Sequence, residues 1–230
     1  MKLIKVKDYS ELSKKACSIV LKEIQRKPNL VIGFATGKTP LGFYGGLVER
    51  YKKGGIDFSR VKSFNLDEYY PIKKSNKKSF CYYMFKNLFD KINIKRGNIN
   101  LFDGETKSPK KECMRYEALI RRNPIDIQIL GVGVNGHIGF DEPGSLKEST
   151  TRLVELSNST KKINKTSKKA LTMGIKTIIK SKKIILLADG KEKREAISHL
   201  IKGNVDKKWP VSFLKKHRNL IVIADKSALG

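Results

Sequence analysis

The loop at residues 131–143 places a histidine, the side chain best suited to proton transfer, among small and acidic residues. Three glycines lie in the six residues before His137, and Glu142 follows it five residues later. Imidazole accepts and donates protons near neutral pH, and a neighbouring carboxylate can fix which ring nitrogen carries the proton. The other histidines, His199 and His217, have no such surroundings. This loop therefore indicates acid–base catalysis, with His137 as the candidate group.

Two adjacent carboxylates, Asp67 and Glu68, follow an apolar run at residues 61–66 that predicts a strand. Partial burial would raise the proton affinity of either group, which could then act as a base near neutral pH. A helix cap or a solvated pair is the structural alternative, and this segment alone favours that alternative.

A short turn after the strand predicted at residues 30–34 has the composition of an anion site. Small residues let backbone N–H groups approach an anion, hydroxyls add donors, and a following helix adds partial positive charge. The spacing of a Walker loop is absent, and an ordinary strand-to-helix turn would have a similar composition. The residues of the turn are Thr36, Gly37, Lys38, Thr39 and Pro40.

The three motifs together predict acid–base chemistry on a phosphorylated small molecule. The sequence shows no cluster with the spacing of metal ligands, and neither a metal nor a cofactor is predicted. Residues 131–136 formally fit the GxGxxG pattern of dinucleotide-binding folds. They lead into a histidine-bearing loop late in the chain, however, so this match is weak.

Apolar runs alternate with helical periodicity and predict a single α/β domain over residues 1–230. Its sheet is expected to be doubly wound and mainly parallel, with helices on both faces. Asp8 and Glu11 predict the start of the first helix. Ligands bind beyond the carboxyl ends of strands in such sheets, and all three motifs lie there. Strands are predicted at 30–34, 61–66, 125–132, 184–188 and 220–224, and further helices at 41–51, 79–90, 112–122, 170–179 and 191–201.

The formal charge of +27, from 49 basic and 22 acidic residues, at first suggests a nucleic-acid or membrane partner. However, 39 of the 49 basic residues are lysines spread over the whole chain, whereas nucleic-acid grooves concentrate arginine and aromatic residues. No window reaches the roughly 18 apolar residues of a membrane span. We therefore expect a lysine-rich surface without a specific nucleic-acid or membrane partner, with polyanion binding as the alternative.

The three cysteines, Cys17, Cys81 and Cys113, are odd in number and widely spaced. They fit neither a disulfide framework nor a CxxC metal site. The N-terminus is charged before any apolar run develops, unlike a secretory signal. These features predict a cytoplasmic protein in a reducing compartment, and they do not indicate an oligomeric state.

The motifs and their order resemble those of the glucosamine-6-phosphate deaminases, in the glucosamine-6-phosphate isomerase family. The resemblance extends from residue 30 to residue 225, and its distinctive segments lie at 35–42, 64–69, 135–143 and 170–174. It implies the hydrolytic conversion of glucosamine 6-phosphate to fructose 6-phosphate and ammonia. Such a reaction needs acid–base groups and neither a metal nor a redox cofactor.

The resemblance also implies catalytic roles. Asp67 would move a proton between C2 and C1 of the sugar, and His137 would take part in opening the pyranose ring. Asn135 and Glu142 would assist that opening. Some members have Asp where this chain has Asn135, and an amide can hold a hydrogen bond but cannot relay a proton as a carboxylate does.

The substrate phosphate, by the same resemblance, would bind the turn and a lysine at the start of a later helix. That lysine is expected to be Lys193, with Lys191 and Arg194 as neighbouring alternatives. A further basic contact of the family has no clear counterpart, and Lys165 or Lys168 could replace it. The residues of the turn are Thr36, Gly37 and Thr39, together with Lys38, which stands where a small residue is common and would add a charge.

Three alternatives remain beside this interpretation. The 6-phosphogluconolactonases share the broader fold, but their Gly-His typically continues with Thr-Ala-Ser, whereas residues 138–143 read Ile-Gly-Phe-Asp-Glu-Pro. A deaminase of galactosamine 6-phosphate would share the motifs, because sugar stereochemistry depends on other contacts. A polyanion-binding protein would rest on the charge alone. The residues favour the glucosamine-6-phosphate deaminase.

Overall fold

The computed structural model describes residues 1–156 and 167–230. Seven strands form its main sheet, and all their pairings are parallel. The strands are β1 (Lys2–Val6), β2 (Val31–Phe34), β3 (Lys62–Asn65), β5 (Ile99–Asn100), β6 (Ile127–Gly131), β9 (Lys183–Ala188) and β10 (Leu220–Asp225). They lie in the order β1-β10-β9-β6-β2-β3-β5. The prediction of a single α/β domain with a mainly parallel sheet is confirmed.

Helices cover both faces of this sheet and bury one apolar core against each. One core contains side chains of α1 (Tyr9–Arg26), α2 (Leu41–Lys52) and α3 (Phe80–Asn87). The other contains side chains of α4 (Pro109–Arg122), α5 (Ile175–Ile179), α6 (Arg194–Ile201) and α7 (Lys226–Leu229). Successive residues of the strands alternate between the two cores, as the pleat of a strand requires. The fold is therefore doubly wound.

The first helix begins at the predicted cap. Asp8 Oδ1 accepts a hydrogen bond from the Glu11 N–H at 2.9 Å, and Glu11 Oε2 accepts one from the Lys7 N–H at 2.7 Å. The first bond satisfies an N–H group that a helix start leaves without an intrahelical partner, and the second ties the residue before the cap to the first turn. The side of α1 that faces the sheet carries apolar residues at helical spacing: Leu12, Ala16, Val20 and Ile24.

A second, three-stranded antiparallel sheet lies beside the main one. It consists of β4 (Asp67–Tyr70), β7 (Arg152–Glu155) and β8 (Lys169–Thr172), with β8 in the middle. The strand predicted at 61–66 ends at Asn65, and the chain turns at Leu66 directly into β4. Asp67 therefore begins a strand of the small sheet instead of lying in a loop after a parallel strand.

The prediction of one helix over residues 170–179 is wrong for its first half. Ala170 and Leu171 are fully buried in β8 and pair with β4 on one side and β7 on the other. Helix α5 begins only after Gly174. Because two neighbouring strands supply the backbone partners of β8, pairing with distant parts of the chain overrides the local helical periodicity.

Within residues 1–156 and 167–230, no helix combines the length and apolar character needed to cross a bilayer.

Candidate active site

A cavity of 500 Å³ lies at the carboxyl ends of three adjacent strands, β2, β6 and β9. Residues 36–39 form one part of its wall, and Asp67, His137 and Lys193 line it as well. The three motifs predicted from the sequence therefore share one cavity. This is the position at which open parallel sheets bind their ligands.

The turn at residues 36–39 requires a glycine at its centre. Gly37 has a φ of +104°, a backbone conformation that favours glycine, and a side chain built there would meet no atom within 4 Å. Thr36 and Thr39 place hydroxyls beside it, and Lys38 places a cation there. The open space over Gly37, flanked by these donors, suits an anion such as a phosphate.

Lys193 is the basic residue of the segment 191–194 that lines the cavity; Lys191 is exposed and does not line it. Arg194 instead donates to the carbonyl oxygen of Ser227 at 3.4 Å. Of the three alternatives, the structure thus brings only Lys193 to the cavity that the turn at residues 36–39 lines. Lys165 lies outside the described residues, and Lys168 is exposed and does not line the cavity.

Asp67 is buried, with 6% of its surface exposed, yet it lines the cavity. Burial raises the pKa of its carboxyl well above the usual range, and the nearby negative charges of Glu68 and Asp141 raise it further. Because a raised pKa gives the ionised form a high proton affinity, the Asp67 carboxylate is suited to removing a proton from carbon.

Glu68, next to it, is a structural carboxylate. Its Oε1 accepts from the N–H of Phe80 at 2.8 Å and of Tyr69 at 2.9 Å, and its Oε2 accepts from the N–H of Cys81 at 2.8 Å. Burial raises the pKa of Glu68 to about 7; the three N–H donors lower the pKa, but burial has the larger effect. Glu68 therefore binds strand β4, and with it Asp67, to the start of α3. The helix-cap alternative that the sequence left open applies to Glu68.

His137 is connected to Glu142 through the side chain of Asn135. An ionised carboxylate only accepts hydrogen bonds, so the contact of 2.8 Å between Asn135 Nδ2 and Glu142 Oε2 is donated by the amide. The amide oxygen then faces the ring, where it lies 2.7 Å from His137 Nδ1. Nδ1 must donate to it, and the Nε2 of the neutral ring is left without a proton. The His137 ring can therefore accept a proton from a bound ligand.

Asn135 and Glu142 do not line the cavity themselves. Glu142 Oε2 lies 3.6 Å from His137 Nδ1. Of the four predicted catalytic residues, Asp67 and His137 thus line the cavity, while Asn135 and Glu142 lie behind the ring and are joined to it by hydrogen bonds. The bend of this loop requires Gly133, because a Cβ atom there would lie 2.2 Å from the His137 ring.

Sequence reasoning missed an aromatic wall of the cavity, formed by Tyr69, Phe80 and Phe140. The rings of Tyr69 and Phe80 lie 4.6 Å apart, and those of Phe80 and Phe140 are stacked at 6.1 Å. Tyr69 and Phe140 lie in the distinctive segments 64–69 and 135–143, so the motifs could have indicated that they are near the site. Phe80 lies in none of the motifs, and its sequence neighbours do not indicate a site. Asp189 and Glu192 also line the cavity and were not predicted. The part of the chain that the structure describes contains no group of three or more His, Cys, Asp or Glu residues arranged to hold a metal.

A profile of the family described as glucosamine-6-phosphate isomerases/6-phosphogluconolactonase matches residues 7–223. The glucosamine-6-phosphate deaminase of Clostridium novyi (strain NT) is 49% identical and covers 99% of this chain and 98% of its own length. The glucosamine-6-phosphate deaminase of Thermoanaerobacter sp. (strain X514) is 47% identical, over 99% of this chain and 94% of its own. The resemblance indicated by the motifs is confirmed over nearly the whole chain.

Solved structures agree with this result. A structure described as a monomeric glucosamine-6-phosphate deaminase superposes with a TM-score of 0.97 at 38% identity, over 100% of both chains. The 6-phosphogluconolactonase of Thermotoga maritima superposes with a TM-score of 0.81 at 23% identity, over 98% of this chain and 99% of its own. At that identity the second likeness establishes the fold alone.

Proposed function

Because the chain belongs to the family of glucosamine-6-phosphate isomerases and 6-phosphogluconolactonases, we propose that it deaminates glucosamine 6-phosphate. The products are fructose 6-phosphate and ammonia. The observation that carries this proposal is the position of Asp67 and His137 on one cavity whose wall also contains the turn at residues 36–39. A carbon base, a proton shuttle and an anion site are the parts that this reaction needs.

The phosphate of the substrate binds at the turn. The backbone N–H groups of residues 36–39 and the hydroxyls of Thr36 and Thr39 donate to it, and the side chains of Lys38 and Lys193 supply charge. A phosphate held at this end fixes the position of the sugar carbons along the cavity.

Ring opening falls to His137. Its unprotonated Nε2 accepts the proton of the anomeric hydroxyl O1, and the resulting imidazolium donates a proton to the ring oxygen O5 as the C1–O5 bond breaks. Glu142 stabilises the imidazolium through Asn135, and Asn135 keeps the ring in the tautomer that can start this step.

We assign isomerisation to Asp67. Its carboxylate removes the proton from C2 of the open-chain sugar and delivers it to C1, while the amino nitrogen loses a proton and O1 gains one, so that the double bond moves from C1–O1 to C2–N. Water then adds to C2 of this imine, and ammonia leaves, which gives the ketose. The raised pKa of Asp67 supports this role, because a carboxylate of high proton affinity is the stronger base.

A lactonase is the second candidate, since the family includes both activities. The loop at residues 137–142 favours the deaminase, because it supplies Glu142 behind the histidine through Asn135. We also propose that the protein works in the reducing environment of the cytoplasm, which the three free, buried thiols of Cys17, Cys81 and Cys113 support.

The decisive experiment is an assay of ammonia release from the 6-phosphates of glucosamine, galactosamine and N-acetylglucosamine, with hydrolysis of 6-phosphogluconolactone measured in parallel. We expect release from glucosamine 6-phosphate with an equal amount of fructose 6-phosphate, and none from the N-acetylated sugar. Preference for the galactosamine compound would change the substrate, and lactone hydrolysis without ammonia release would overturn the proposal.

A further inference from the structure

Three tyrosine hydroxyls hold three carbonyl oxygens of the anion turn. Tyr44 donates to the carbonyl of Ala35, in a short hydrogen bond. Tyr83 donates to the carbonyl of Gly37 at 2.6 Å. Tyr9 completes the set: its hydroxyl donates to the carbonyl of Lys38 at 3.2 Å and accepts from the N–H of Gly42 at 2.7 Å. The tyrosines belong to three different helices, α1, α2 and α3.

Each of these bonds fixes the direction of an N–H group. In a trans peptide the C=O of one residue and the N–H of the next point in opposite directions, because the unit is planar. The peptide bonds of this turn are trans. The tyrosines that hold the carbonyls of Ala35, Gly37 and Lys38 therefore direct the N–H of the next residue in each case, that of Thr36, Lys38 and Thr39, away from the tyrosine.

Those three N–H groups have no acceptor in the parts of the chain that the structure describes. They lie in the wall of the cavity, beside the open space over Gly37. Thr36 and Thr39 are partly buried and Lys38 is exposed, so these N–H groups are open to a ligand that enters the cavity and carries hydrogen-bond acceptors. The tyrosines are on the opposite side of the same peptides and leave this space free.

The hydroxyls are dependable donors. Burial raises the pKa of Tyr44, which is fully buried, well above its usual value, and burial also raises the pKa of Tyr83. Both groups therefore keep their protons throughout the physiological range. Their rings pack edge to face with centroids 6.4 Å apart, which keeps the two hydroxyls beside the turn.

We propose that Tyr9, Tyr44 and Tyr83 are positioning residues for the phosphate site: they aim the N–H groups of the turn before the ligand arrives. This inference rests on the proposed function in one respect, that the anion is the phosphate of the substrate. None of the three hydroxyls needs to touch the sugar. Their effect is to remove the cost of ordering the turn on binding.

The test is Tyr83→Phe, which removes one hydroxyl and keeps the ring. Tyr82→Phe is the matched control, because Tyr82 is the neighbouring residue of α3 and its hydroxyl makes no hydrogen bond with the described residues. Inorganic phosphate is the probe, with its dissociation constant measured by calorimetry. The KM and kcat for glucosamine 6-phosphate and the melting temperature are measured on the same preparations.

We expect Tyr83→Phe to weaken phosphate binding and to raise KM by about fivefold, the effect of one neutral hydrogen bond, with a smaller change in kcat. Tyr82→Phe should match the wild type. Tyr9→Phe acts on a different peptide from a different helix and should also weaken phosphate binding, but by less, because the Lys38 carbonyl accepts from the N–H of Leu41 at 3.2 Å as well. It therefore decides the matter if Tyr83→Phe does not fold.

Unchanged phosphate affinity in folded Tyr83→Phe and Tyr9→Phe proteins overturns the inference. A wild-type protein that binds no phosphate also overturns it. So does a result in which the variants lose only melting temperature or kcat. The proposed function fails differently. Should the wild type bind phosphate but release no ammonia, weaker phosphate binding by the variants would still support the positioning role.

Discussion

Asp141 and Arg152 form an ion pair of 2.8 Å in which the carboxylate is completely buried. Asp141 lies in the histidine loop, whereas Arg152 begins β7 of the small sheet. The pair therefore connects the loop of His137 to the sheet that contains Asp67. Burial raises the pKa of Asp141 to about 6 although Arg152 lowers it, so the group is mostly ionised above neutral pH.

Asp141→Asn should move the acid limb of the kcat/KM profile to lower pH. Asp67 acts as a base only when it is ionised, so activity rises as the pH passes through its pKa. The charge of Asp141 raises that pKa, and the substitution removes this charge while leaving the positive charge of Arg152. Both changes favour the Asp67 anion. Breaking the buried pair also costs stability, on the order of 3–5 kcal/mol.

The pH profiles of the two proteins check this prediction, and urea denaturation checks the stability. Glu155→Gln is the control, because Glu155 is an exposed member of the same strand and pairs with Lys169 at the surface. An acid limb that stays in place or moves upward in Asp141→Asn would show that Asp141 does not tune Asp67.

Asp67→Asn should abolish proton transfer at carbon while substrate still binds. The amide keeps the shape of the side chain but cannot take up the C2 proton, and such a loss lowers the rate by about a thousandfold. Incorporation of deuterium at C2 from heavy water, followed by NMR, measures the step directly. Turnover near the wild-type level would exclude Asp67 as the base.

His137→Gln should slow ring opening by about a hundredfold while phosphate binding changes little. Glutamine can still bond to Asn135, but it has no ring nitrogen to accept the anomeric proton. The measurement compares single-turnover rates on the closed sugar with the dissociation constant of inorganic phosphate. A preserved rate on the closed sugar would argue against the role of His137, and loss of phosphate binding alone would assign it to binding.

Lys193→Ala should raise KM by roughly 10- to 100-fold, because it removes a charge-assisted contact to the phosphate. Lys191→Ala is the matched control: it removes the same charge two residues away, from a side chain that does not line the cavity. We expect the control to stay near the wild type in steady-state kinetics. An equal rise in KM for both substitutions would show that Lys193 acts only through the overall positive charge of the protein and not through a contact to the phosphate.

Much of the parallel sheet was predictable, because β2, β6, β9 and β10 are buried apolar runs flanked by turns. The two edge strands were not predicted. In β1, Lys2 and Lys5 interrupt the apolar residues, since an edge strand is partly solvated. The other edge, β5, has only two residues, Ile99 and Asn100. Neither segment can be recognised as a strand from its own residues, because only pairing with the neighbouring strand makes it one.

The candidate site was predictable where chemistry is local. Asp67, His137 and the turn at residues 36–39 have distinctive neighbours in the sequence, and the structure brings them to one cavity. Contacts between distant residues left no such signal. The bond from Tyr83 to Gly37 joins positions 46 residues apart, and Asp67 lies in the small sheet, whose central strand β8 falls where the periodicity predicts a helix.

The amide of Asn135 has a consequence for the fate of the proton taken from the sugar. Within residues 1–156 and 167–230, Asn135 joins the imidazole to Glu142 by a hydrogen bond on each side, and an amide neither gains nor loses a proton at ordinary pH. The hydrogen-bonded connection from Glu142 through Asn135 to His137 therefore does not carry a proton away from the ring. In the proposed mechanism, the proton that Nε2 accepts from one sugar oxygen therefore leaves through the same nitrogen, which faces the cavity and the second oxygen.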